Sequence, residues 1–156
     1  MLKKEAGTGA VSNFTLEYHK MTVQQQRLIQ SSWTRIQPLA QEAGELFYRR
    51  LFASEPLIRH LFKSDVKEQA RRLTTMLHHI ISNLERHEMI ARDIQKLGQR
   101  HNGYGAQPEH YAVVGECLLL TMAEGMGNGW TPALSEAWQE MLNWLFREMM
   151  QGQGID

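Results

Sequence analysis

The segment LGQRHNGYG, Leu97 to Gly105, holds the side chain with the strongest claim to chemistry in this chain. His101 closes a stripe of Ile90, Ile94, Leu97 and His101, with gaps of four, three and four residues. On a helix the imidazole therefore projects from the same face as the three aliphatics. Such a ring is either a polar cap at the helix end, just before Gly103 and Gly105 release the chain, or a ligand that an apolar face presents to a metal. Spacing leaves both open.

The other reactive residues say less. His78 and His79 are adjacent, about 100° apart around a helix, and cannot act as a metal-binding pair. Cys117 lies in the apolar run CLLLTM and reads as core filler. Sequence patterns for zinc hydrolysis, for a di-iron bundle, for phosphate cradling and for covalent tetrapyrrole attachment are all absent.

Composition narrows the class. The chain has 156 residues, with 17 Lys and Arg against 17 Asp and Glu. One domain with one core is expected. Without a basic excess there is no call for nucleic acid or anionic lipid as a partner. The apolar runs are too short to span a membrane. One cysteine excludes an internal disulfide, and the N-terminus lacks the apolar core of a secretion signal. Both point to a cytoplasmic protein.

The elements that must position His101 are helical. Thr22–Gln25, TVQQ, forms a capping box, and Leu28, Ile29, Trp33 and Ile36 follow at helical spacing until Pro38. Further helices are expected from about 41 to 52, from 66 to 84, through the His101 stripe, from Pro108 past Met122, and after the Thr131–Pro132 start. No strand-like alternation occurs. The organisation expected is a flexible extension over 1–20, an all-α domain over 21–151 and a tail over 152–156.

The motifs LFYRRLFASEP, HLF, LGQRHNGYG, PEHYAVVGECLL and TPALSEAW, in this order and spacing, resemble single-domain bacterial globins and neuroglobin-like proteins. The resemblance runs from about Thr22 to Met149. It implies a globin fold, a three-on-three helical sandwich, holding haem b with His101 as the proximal iron ligand and Leu97 against the macrocycle. It implies that Phe62 wedges against the haem edge, that Tyr48 and Gln69 face the distal pocket, and that Leu73 caps it, with Met76 and Leu77 continuing the wall. Tyr111 and Val114 would complete the site from the helix opened by Pro108.

Two departures stand out. Flavohaemoglobin-like relatives support the proximal histidine with a tyrosine and a glutamate, but here Gln153, in a tail expected to fray, stands where the glutamate is expected. A carbonyl near Leu97 would then take the second imidazole proton. The distal position holds no histidine, so bis-histidine coordination is not implied. The resemblance therefore implies reversible binding of O2, CO and NO by a monomer or weak homo-oligomer. Two further uses are NO dioxygenation with a separate reductase, since no flavin or nicotinamide domain is recognisable, and gas or redox sensing.

Overall fold

The computed structural model describes residues 20–155; the expected extension over 1–20 lies almost wholly outside the described residues. Six α-helices carry the described residues: α1 Val23–Ile36, α2 Ala40–Ser54, α3 Val66–Ser82, α4 His87–Gly103, α5 Pro108–Met126 and α6 Pro132–Gly152. Short 3-10 turns at Gln37–Leu39, Pro56–Leu61 and Gly127–Gly129 join some of them. Among the described residues there is no strand.

The helix starts follow from side chains that satisfy free amides. Thr22 and Gln25 exchange hydrogen bonds at 3.0 Å each, closing the expected capping box of α1. Asp65 accepts from the Glu68 amide at the start of α3, and Thr131 from the Leu134 amide at the start of α6. Pro38 turns the chain from α1 into α2, since a proline there ends an α-helix but begins a 3-10 turn without strain.

The helices stack in two layers, α1, α3 and α4 against α2, α5 and α6. The crossings of α4 on α6, α2 on α3 and α1 on α6 hold the layers together. Ile29, Leu51, Leu84, Ile90, Leu119, Met141 and Leu142 fill the interface. Inside it, the Trp138 indole donates to Ser32 Oγ at 2.9 Å, and Ser32 Oγ donates to the Ile29 carbonyl at 2.9 Å, so these buried polar groups are satisfied. Gly44 brings α2 within van der Waals reach of Ala70 on α3, where an added Cβ would stand 3.0 Å from the alanine methyl.

This packing parts α3 from α4 except where His79 meets Asp93 at 3.0 Å. Helix α3 lies on α2 and α4 lies on α6, so the two segments carrying Gln69 and His101 are held by different partners. An open cleft of about 230 Å³ runs between them, lined by Met76, His79, Ile80, Ile94, Leu97 and Arg100, among others. The fold positions a gap.

Candidate functional site

On the α4 side of the cleft, the end of the helix is capped by backbone. The Ala106 amide donates to the His101 carbonyl at 3.1 Å and the Gly105 amide to the Asn102 carbonyl at 3.1 Å. This double bond requires a left-handed residue between them, and Gly105 supplies it with φ +91°. Gly105 alone makes the turn; Gly103 is the last helical residue. The His101 side chain is therefore not the cap. Its Nδ1 lies 2.9 Å from the Leu97 carbonyl, and because a carbonyl only accepts, Nδ1 carries the proton. Nε2 is left with its lone pair. Burial lowers the pKa of the ring, the Leu97 carbonyl opposing it, so the neutral imidazole is favoured.

Two glycines let α4 come this close to α6. A Cβ on Gly98 would overlap the Met149 carbonyl, and a Cβ on Gly152 would overlap the Gln95 carbonyl. Gln95 also donates to Glu148 at 2.8 Å. Sequence reasoning passed over Gly98, although a glycine in mid-helix costs about 1 kcal/mol against alanine and so signals a packing need.

On α2, Tyr48 is buried among aromatic rings, with Phe47 at 4.7 Å and Phe62 at 5.5 Å between centroids; Tyr48, Gln69, Phe62 and His101 lie outside the lining of the α3–α4 cleft. Phe62 meets Phe52 edge-on at 5.3 Å, and Arg59 stands over Phe52 at 4.8 Å. Burial raises the Tyr48 pKa to about 12, while a hydrogen bond with the Gln69 side chain and the charge of Arg72 act against it. Arg72, which is not among the residues expected from the sequence, lies three residues after Gln69, on the same helix face.

Tyr48, Phe62 and Gln69 thus come together, as do Leu97 and His101. Leu73 is half-buried one turn after Gln69 and lines a second, apolar cavity of about 30 Å³ with Phe47, Leu77 and Leu118. Val114 is half-buried against the core. Tyr111 donates to Gln153, whose Nε2 donates to the Ala106 carbonyl at 3.0 Å. Gln153 was expected in a fraying tail. Instead α6 runs to Gly152, and bonds from Gly154 to Gln151 at 3.0 Å and from Ile155 to Met150 at 2.8 Å close its end around Gly154, φ +83°.

Two other histidines have local partners. His78 Nδ1 accepts from the Trp33 indole at 3.1 Å, and His79 Nε2 pairs with Asp93 at 3.0 Å, linking α3 to α4. Among the described residues no three His, Cys, Asp or Glu side chains gather to hold a metal by themselves.

The globin family profile matches residues 45–149. The chain belongs to the globin family. This globin is similar to the flavohemoprotein of Bacillus subtilis, 27% identical over 110 residues, which are 66% of this chain and 28% of that protein. It is also similar to neuroglobin-1 of Oncorhynchus mykiss, 24% identical over 147 residues, covering 85% of this chain and 92% of that one. The chain thus spans about a quarter of the flavohemoproteins it matches. Among solved structures, a hexacoordinated heme protein from an anhydrobiotic tardigrade superposes with a TM-score of 0.79 at 15% identity, covering 86% of this globin and 96% of that chain. The fold is shared.

The globin binds haem, and its residues fit that group. A neutral imidazole with Nδ1 committed offers one nitrogen lone pair, which suits a metal whose other ligands come from a macrocycle. The cleft walls of Met76, Ile80, Ile94 and Leu97 suit the apolar faces of such a ring. Among the described residues no helix is long and apolar enough to cross a membrane.

Proposed function

We propose that this globin holds haem b with His101 Nε2 on the iron and binds O2 with high affinity on the Tyr48–Gln69 side. When bound, the haem iron supplies the coordination position for diatomic gases. The protein supplies the rest. Leu97 and Ile94 pack the proximal face, and Phe62, in the aromatic cluster with Tyr48 and Phe52, restricts rotation and solvent access. Leu73, with Met76 and Leu77, walls the distal side, and Tyr111 and Val114 border the pocket from α5.

The observation that carries this reading is the Tyr48 phenol, buried among Phe47, Phe52 and Phe62 with the Gln69 side chain as its hydrogen-bond partner. A buried O–H aimed at a polarised diatomic makes a charge-assisted hydrogen bond worth about 1.5–3 kcal/mol. O2 carries such polarity and CO little, so the donor discriminates between them. Slow O2 release suits scavenging, or NO dioxygenation with a separate reductase, better than delivery.

The test is O2 displacement by CO in stopped flow, together with NO consumption under a cellular reductase. Slow O2 release with catalytic NO removal assigns the dioxygenase role; slow release with one NO consumed per haem assigns scavenging. Fast O2 release would overturn the high-affinity reading.

A further inference from the structure

We infer that Gln153 is the positioning residue of the proximal corner, its side-chain amide clamping the end of α6 to the turn after His101 and so fixing the tilt of the imidazole. The inference rests on His101 being the iron ligand, as proposed above.

Three consecutive hydrogen bonds carry it. The Tyr111 hydroxyl on α5 donates to Gln153 Oε1, Gln153 Nε2 donates to the Ala106 carbonyl at 3.0 Å, and the Ala106 amide donates to the His101 carbonyl at 3.1 Å. The run passes from α5 through α6 into the backbone of the ligand residue itself. Tyr111 and Gln153 are each anchored. The Tyr111 ring packs on Phe146 at 5.2 Å, and the Gln153 backbone N–H donates to the Met149 and Met150 carbonyls at 3.0 Å each. On the other flank, the Gly98 and Gly152 crossings fix α4 against α6. His101 is therefore braced along the helix by packing and beyond it by Gln153.

The chemistry asks for an amide. Position 153 faces a phenol that donates and a carbonyl that accepts, and only a side chain with one acceptor and one donor satisfies both. A carboxylate would accept from Tyr111 but would set negative charge against the Ala106 carbonyl. The clamp is also neutral, so it fixes the geometry of the imidazole without adding charge beside it. The Nδ1 proton stays with the Leu97 carbonyl, a weaker acceptor than a carboxylate.

Two measurements test the clamp. Amide hydrogen exchange at Gly105 and Ala106 in the apoprotein reads the turn without haem, and the iron–histidine stretching band of the ferrous, haem-loaded chain reads the tilt. In Gln153→Ala, exchange at both amides should rise about tenfold, the effect of losing one net hydrogen bond. The band should broaden or shift while helix content stays constant. Gln153→Glu cannot donate to Ala106 and should give the same rise in exchange, which keeps the test available if the alanine variant fails to fold. Tyr111→Phe, which leaves the Ala106 bond, should give a smaller change of the same sign. Unchanged exchange with an unmoved band in Gln153→Ala or Gln153→Glu overturns the clamp. A wild-type protein without any iron–histidine band overturns the ligand assignment instead, and the exchange data then judge the clamp alone.

Discussion

Gly98 on α4 sits against the carbonyl of Met149 on α6, with no room for a Cβ between them, three residues before His101. Here and at Gly152 against Gln95, a missing methyl group sets the depth at which α4 sits on the second layer. This depth fixes how far the His101 ring stands from α3.

Gly98→Ala is expected to lower stability by about 1–3 kcal/mol, the cost of forcing a methyl into packed backbone. It should also weaken haem retention by lifting α4. Gly103→Ala is the control: nothing lies within 4 Å of its Cβ, and the residue is helical. That variant should gain about 0.5–1 kcal/mol. Chemical unfolding of both apoproteins checks the pair, and equal effects would show that the α4–α6 contact is not tight.

His101→Ala should release haem or hold it only with added imidazole, whereas His78→Ala, His79→Ala and His110→Ala should keep it. His110 Nδ1 accepts from the Gln107 amide at 2.9 Å, so its loss costs helix capping only. Absorption spectra after gel filtration decide. An unchanged ferrous spectrum in His101→Ala would exclude it as the ligand.

Tyr48→Phe should speed O2 release roughly 10- to 100-fold, taking about 1.4 kcal/mol per decade, hasten autoxidation, and leave CO association within a few-fold. Gln69→Leu should act in the same direction, since it removes the hydrogen-bond partner of the phenol. Unaltered O2 release in Tyr48→Phe would make the tyrosine a core phenol.

On the proposed site, with Gln69 and no histidine on the distal side, the ferrous protein should be mainly five-coordinate. A low-spin six-coordinate ferrous spectrum at neutral pH would count against this and would point to Tyr48 or a displaced side chain on the iron.

Burial pushes both Tyr48 and Tyr111 up to about 12, above the ordinary value near 10. Between these limits the unfolded chain releases protons that the folded one keeps, so stability present below pH 10 is lost as pH rises towards 12. The alkaline limb of the apoprotein stability curve should be steep in this window and flatter in Tyr48→Phe. A limb of the same slope in the variant would refute the link.

Local rules were enough for much of this protein. The TVQQ box, the Thr131–Pro132 start, the break at Pro38 and the stripe ending in His101 depend on neighbours within one or two turns, so periodicity and capping chemistry expose them. The motif order carried the family and pointed to Tyr48 and Gln69 as partners. What tertiary structure decided lies at the crossings. Whether His101 caps or presents depended on Gly105 closing the turn through backbone. Whether 153 belongs to a tail or to the site depended on Tyr111 and Ala106, 42 and 47 residues away in the chain. Gly98 looks like a helix defect until Met149 is opposite it. Contacts between distant segments leave no periodic trace in the sequence, because the constraint is on a distance between two backbones and not on the spacing within one.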